Sequence, residues 1–523
     1  MTSSFTDLLY ENRRRVGVLS LILLGILIRA YGIGSIPAGL NQDEAFAGYE
    51  AFSLLNYGVD SAGYRNPCYF VSWGSGMNVL ESYLAIPFMK LFGPSVITLR
   101  LPQLLLSCIS LFVFYLLLKE TFTEKTALLG LGLLVISPWH IMLSRWGLES
   151  NLAPSFLLFG LYFFLSGIKK NQYWIVSALM FGLSLYAYSI TWIAVPITLI
   201  CYIAYIIVTG QRIKLRYALI SSVILFVIAL PLILFVLVNK GYVPEITTSF
   251  ISIPKLLVMR DYEISLRNMV SWKSYHNLIN ILWHQNDGLY WNAIPEFGLF
   301  YKFSLPFMLL GGVRIFASSL KNARKKEFCY EGIICLGAVC SILTCLLISN
   351  LNINKANTLH FFMLIMLTLG IEKAFNIFRD YSLIRKSIIA AYGLAFVFFL
   401  SFYFGSYNQQ ISYAFRAGVE ESVAYIKNME FTDVCVDSSI YYPQIMFFDQ
   451  TPNDVYRKTV KYTNYPSAFL NVSEFGKYKF GIDYENLPAH EAYIIDKNKE
   501  EIFASLGYKV VGFGNFSVAH ESQ

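Results

Sequence analysis

Along most of the chain the apolar residues come in long blocks, with neither the 3.6-residue period of a soluble helix nor the alternation of a half-buried strand. Crossing a bilayer takes about 20 mostly apolar residues. The blocks that qualify are 16–33, 101–118, 126–143, 152–168, 173–190, 192–209, 217–238, 298–314, 331–349, 358–377 and 387–405, which predicts about eleven membrane-spanning helices. The stretch 77–92 is apolar but carries Glu81, Pro87 and Lys90, and is expected to lie at the membrane surface as an interfacial helix. Residues 43–56 are amphipathic in a similar way and predict a second one. Beyond residue 405 alternating runs such as Val434–Val436 mix with helix-like stretches such as 417–428, as in a small α/β domain over 406–523 with its own core.

The gaps between blocks test this count. Arg13–Arg15, Lys119 with Lys125, Lys169–Lys170, Arg212 with Lys214 and Arg216, Lys321 with Arg324–Lys326, and Lys373 through Lys386 fall in alternate gaps. All six clusters share one side if the N-terminus is cytoplasmic, as the positive-inside tendency requires. The long gaps 34–100 and 239–297 and the C-terminal domain then face outward. Composition agrees: 14% of the 523 residues are charged and 56% hydrophobic, against about 25% charged in soluble domains. The formal charge of +7 reflects these topology signals rather than a nucleic-acid surface. Arg13–Arg15 ahead of the first block read as a retained signal anchor. The eight cysteines show no metal-ligand spacing and lie mostly inside apolar blocks, so no disulfide framework is indicated.

Four polar sites from distant parts of the sequence share the outward face. The first is Asn41-Gln42-Asp43-Glu44, where the adjacent carboxylates suit either a helix N-terminus or a general base or metal ligand in a cavity. Arg100-Leu101-Pro102 is the second; an arginine at this depth needs an anion or a carboxylate partner. His140, Ser144, Arg145 and Glu149 crowd a short hairpin, although Arg145 and Glu149 at helical spacing could be local support. Lys355 stands in the last site, Asn352-Ile-Asn354-Lys355-Ala-Asn357, where rim anchoring and phosphate binding are both open. The loop 239–297 adds Arg260-Asp261-Tyr262-Glu263 among many aromatics, suited to a lid over a sugar or lipid. Such a convergence can line a catalytic cavity or a transport pathway for a lipid-linked sugar.

The order of Asp43-Glu44, Arg100-Leu101-Pro102, Ser137-Pro138-Trp139-His140 and Ser144-Arg145 resembles the GT-C membrane glycosyltransferases. The likeness is to the bacterial branch that is similar to protein O-mannosyltransferases and to the lipid A aminoarabinose transferase, and it covers most of 13–405, within an expected transmembrane catalytic domain of residues 1–405. It implies an inverting transferase with a polyprenyl-phosphate sugar donor and a glycan, lipid or protein acceptor. Asp43 would be the base, with Glu44 or Glu149 orienting the acceptor or holding a divalent metal. Arg100, Lys355 and Arg145 would clamp the leaving phosphate, with His140 beside them. No metal or other cofactor is firmly implied. A flippase of lipid-linked sugar, or a polymerase or ligase of surface polysaccharide, are the competing readings. Lacking the retention signals and inserted lumenal domain of eukaryotic protein mannosyltransferases, the sequence suggests a bacterial cell-membrane protein. It also departs from the pattern: Trp73-Gly-Ser-Gly76 stands where relatives carry paired prolines.

Overall fold

A computed structural model describes residues 5–521. Each of the eleven apolar blocks contains a helix: Phe5–Ala30, Val96–Thr121, Glu124–Ile136, Glu149–Lys169, Tyr173–Ala187, Thr191–Val208, Leu215–Asn239, Leu305–Lys325, Tyr330–Leu346, His360–Ile377 and Ser382–Phe404. Seven helical segments among the described residues are long and apolar enough to cross a membrane, and Tyr173–Ala187 and Tyr330–Leu346 are shorter apolar helices. The block 126–143 is not continuous. Pro138 has no amide hydrogen and disfavours a helical residue before it, so one helix stops at Ile136 and a short one, Pro138–Leu143, follows.

The helix ends segregate by charge, as the gaps predict. At one end Arg14 and Lys119 both reach Glu124 at 3.2 Å, and Lys169 reaches Glu120 at 3.3 Å. The long loops and the C-terminal domain gather at the other end.

The helix Gln42–Tyr57 differs from expectation. It is not a surface helix: residues 44–53 are all buried, because it is packed between the helix Leu80–Phe92 and the C-terminal helix Tyr442–Asp449. The interfacial reading fits better at the far end of Leu80–Phe92, where Leu91 and Phe92 are exposed beside Lys90.

The C-terminal domain is built on a seven-stranded mixed sheet. Its strand order is Lys461–Tyr462, Val472–Phe475, Tyr478–Phe480, Val434–Val436, Ala492–Asp496, Phe516–His520, Lys509–Phe513. Val434–Val436 runs parallel to both of its neighbours, and the remaining pairs are antiparallel. Its core is partly its own: Cys435, Tyr493, Ile495, Phe503 and Ala519 form one cluster inside the domain, while the other is shared. Leu40, Tyr49, Ala85, Met89 and Leu99 belong to one apolar cluster with Val434, Ile445, Phe475 and Val518. The first outward loop therefore completes the domain's interior, which ties it to the membrane helices. At the junction Leu40 N donates to Phe415 O at 2.8 Å. Gly39 is required there: its φ is +79°, and a Cβ would sit 2.3 Å from that carbonyl.

Candidate active site

The local chain chemistry at 41–44 decides which acid is free. Asn41, in extended conformation, accepts from the Asp43 amide at 3.0 Å, and Glu44 closes the capping box by accepting from the Asn41 amide. The capping thus falls to Asn41 and Glu44, and Asp43, in the first turn, is left to face a cavity.

Glu44 is engaged further. Its carboxylate accepts from Arg100 Nε at 2.8 Å and Nη2 at 3.1 Å and from the Gly147 amide at 2.7 Å. Arg100 spends its other hydrogens on the carbonyls of Ile33, Pro37 and Gly39. Both side chains are fully buried. Arg100 and Glu44 thus spend their charges on each other and on the backbone instead of lining the cavity where a phosphate clamp and an acceptor-orienting or metal-holding acid are expected; together they pin the start of the Asp43 helix to the second long span and to Gly147.

His140 and Arg145 are also placed elsewhere. His140 Nδ1 is paired with Arg29 at 2.8 Å, and Arg145 donates to the carbonyls of Ile28, Arg29 and Ile36. Both are buried. An arginine among the final carbonyls of a helix satisfies acceptors that otherwise have no partner, so the hairpin crowding reflects tethering of the first span.

Asp43, Glu149 and Lys355 come together in a cavity of about 660 Å³. Glu149 accepts from the backbone amide of Asn78 and from its side chain, and lies within Coulombic range of Asp43 and Arg260. The cations of the cavity are Lys240, Arg260 and Lys355. Lys355 Nζ is 2.8 Å from one oxygen of Glu263, and Arg260 is 3.6 Å from the other. One carboxylate is thus shared by two cations, and Arg260 lies within Coulombic range of Asp43; the lining as a whole sets three cations against the acids Asp43, Glu149 and Glu263. The sequence marks Arg260 and Glu263 only as part of a lid segment and does not mark Lys240, because loop residues among many polar neighbours carry no spacing signal. The alternation of charge in Arg260-Asp-Tyr-Glu263 was the available hint.

The departure at Trp73-Gly-Ser-Gly76 proves structural. Trp73 Nε1 donates to Asp43 Oδ1 at 3.2 Å. Its carbonyl accepts from Leu470 at 2.8 Å, and the Gly74 carbonyl from Val258 at 3.0 Å, so this turn joins the C-terminal domain and the second loop. Gly74 has φ +93°, and a Cβ there would meet Ser467 O at 2.1 Å. Enclosure by these elements pushes the Asp43 carboxyl above its ordinary range, opposed by the Trp73 hydrogen bond and by the charge of Arg260.

Asp43 also lines a second cavity, of about 350 Å³, which shares Leu148, Asn352 and Asn354 with the first. That one is lined by Trp146, Trp291, Tyr441, Arg416 and side-chain amides. Among the described residues no three or more His, Cys, Asp or Glu side chains are grouped as metal ligands.

Comparison with known proteins follows this geometry. Residues 79–235 match the model of the dolichyl-phosphate-mannose-protein mannosyltransferase family. No curated protein sequence matches the chain. Among solved structures, ArnT from Cupriavidus metallidurans bound to undecaprenyl phosphate is similar with a TM-score of 0.59 at 12% identity, over 96% of this chain and 97% of that one. The archaeal oligosaccharyltransferase AglB from Archaeoglobus fulgidus, in complex with an inhibitory peptide and a dolichol-phosphate, is similar with a TM-score of 0.55 at 13% identity, over 100% of this chain and 75% of that one. The chain therefore shares the fold of these two membrane proteins, and its residues 79–235 match the family model of the dolichyl-phosphate-mannose-protein mannosyltransferases.

Proposed function

We propose that this protein transfers a sugar from a polyprenyl-phosphate donor to an acceptor hydroxyl, with inversion, on the non-cytoplasmic face of the membrane. The observation that carries this reading is the position of Asp43 in the wall common to a cationic cavity and an aromatic, amide-lined one. A donor phosphate belongs on the side of Arg260, Lys355 and Lys240. The acceptor belongs on the other.

In the reaction, Asp43 takes the proton of the acceptor hydroxyl as its oxygen bonds to the anomeric carbon. The bond from that carbon to the phosphate oxygen breaks, and the electron pair leaves with the polyprenyl phosphate. Arg260 and Lys355 oppose the charge that grows on the departing phosphate, which fixed cations in an enclosed site do effectively. Glu149, held by Asn78, sits where it can receive a hydrogen bond from a sugar hydroxyl. The side assignment rests on the basic helix ends at Arg14, Lys119 and Lys169, which a cytoplasmic location favours.

Purified protein in liposomes, supplied with a polyprenyl-phosphate sugar and membrane extract as acceptor, should release polyprenyl phosphate, and Asp43→Asn should stop the release. A passive flippase would move the donor across the bilayer without cleaving it. Intact donor after incubation with the wild type would overturn the transferase reading.

A further inference from the structure

Resting on the reading that the second cavity receives the acceptor, we infer that this acceptor is a neutral glycan, presented as a pyranose end rather than as a peptide or an anionic headgroup. Trp146, Trp291 and Tyr441 stand in a cavity otherwise furnished by Asn41, Gln42, Asn352 and Asn354. Flat ring faces with negative quadrupoles match the polarised C–H faces of a pyranose. Side-chain amides, each with donors and an acceptor, match its hydroxyls. A cavity of this size lies within the usual range for small-ligand sites, about 300–1,000 Å³.

The charges present argue against the alternatives. Arg416 is the cation of this cavity, and its guanidinium is already held by the carbonyls of Ser439 at 2.7 Å and Tyr413 at 2.9 Å. It lies over the rings of Tyr413 and Tyr441 at 5.8 and 5.6 Å. Two of its five hydrogens are held by those carbonyls, and Asp43 lines the same cavity, so an anion there would meet a carboxylate as well as this one cation. Strand addition, one of the modes by which an extended peptide is held, is not offered here, since none of the lining residues belongs to a strand.

The aromatic wall has three sources. Trp146 follows the hairpin at 137–148 and is buried, Trp291 comes from the second long loop, and Tyr441 and Arg416 come from the C-terminal domain. Phe415 touches both tryptophans, with ring centroids 5.4 Å from Trp146 and 5.8 Å from Trp291. The C-terminal domain therefore supplies part of the acceptor pocket, which gives this domain a role in specificity.

The test uses full-length Asp43→Asn protein in nanodiscs, so that no turnover occurs. Saturation-transfer NMR is recorded with methyl glycosides of neutral hexoses, and in parallel with a Ser/Thr-rich peptide and a phosphorylated disaccharide. A neutral methyl glycoside should bind, with transfer strongest to its C–H protons. Trp291→Ala should weaken it at least tenfold, and Trp291→Phe should largely restore it. Undecaprenyl phosphate binding, measured on the same samples, should be unchanged in both variants and shows that they are folded. Binding of the peptide or the phosphorylated disaccharide in preference, or glycoside binding indifferent to Trp291→Ala, overturns the inference. Failure of the wild type to cleave any polyprenyl-phosphate sugar instead overturns the transferase reading, whatever the glycosides do.

Discussion

Glu44 and Arg100 form an ion pair with both side chains fully buried, at 2.8 Å between Arg100 Nε and Glu44 Oε1. The residue next to Glu44 is Asp43, so this pair fixes the register of the helix that aims the acid into its cavities. Removing one partner of a buried pair leaves an uncompensated charge and costs about 3–5 kcal/mol. Arg100→Met should lower the thermal unfolding midpoint in detergent markedly, and the double variant Glu44→Gln with Arg100→Met should recover part of the loss. Equal midpoints for Arg100→Met and wild type would remove the pair's structural role.

Loss of a positioned general base costs about 10²–10⁴-fold in rate. Asp43→Asn should lower sugar transfer by that amount with an unchanged unfolding midpoint, whereas Glu149→Gln should act mainly through KM for one substrate. Steady-state kinetics on both variants distinguish base from positioning group.

The pH dependence follows from the Asp43 environment. Enclosure raises its pKa above the ordinary aspartate value, and the base acts only when deprotonated. The rate should therefore fall as the pH drops through a value higher than that of an exposed aspartate. Trp73→Phe removes a hydrogen bond to the charged form and should shift this acid limb to still higher pH. A pH profile identical in wild type and Trp73→Phe contradicts that assignment.

Glu263 holds Arg260 and Lys355, so under the proposed function it would compete with the donor phosphate for them. Glu263→Gln should tighten binding of undecaprenyl phosphate, and Lys355→Met should weaken it by about tenfold or more, since hydrogen bonds to charged groups contribute about 1.5–3 kcal/mol. Isothermal titration in nanodiscs reads both signs. Weaker binding in Glu263→Gln would mean that the carboxylate orders the cations rather than occupying them.

A second acid pair bears on stability. Glu50 accepts from both the amide and the hydroxyl of Ser61, and Asp60 is buried close by, with Arg457 of the C-terminal domain exerting an opposing pull. Burial raises both carboxyls. A raised acid binds its proton more tightly when folded, so its contribution is fully present below the unfolded value, about 4, and is lost as the pH climbs toward the folded value. Stability should decline from mildly acidic pH toward neutral, and Asp60→Asn should flatten that slope. Unfolding midpoints measured across this range check it.

The membrane helices were legible because lipid imposes a length and an apolar composition that no other environment demands. The basic gaps were legible because topology is written in local charge. Asp43, Glu149 and Lys355 could be named from residue type and side alone. What the sequence could not show is which polar residue spends its hydrogen bonds on the protein. Glu44, Arg100 and Arg145 are used up by partners up to 117 residues away and His140 gives its Nδ1 to Arg29, whereas Arg260, legible only as part of a lid segment, and Tyr441 stand in the cavities. Burial and pairing are decided by chain crossings between distant segments, so the division of labour between Asp43 and Glu44, one residue apart, belongs to the tertiary structure.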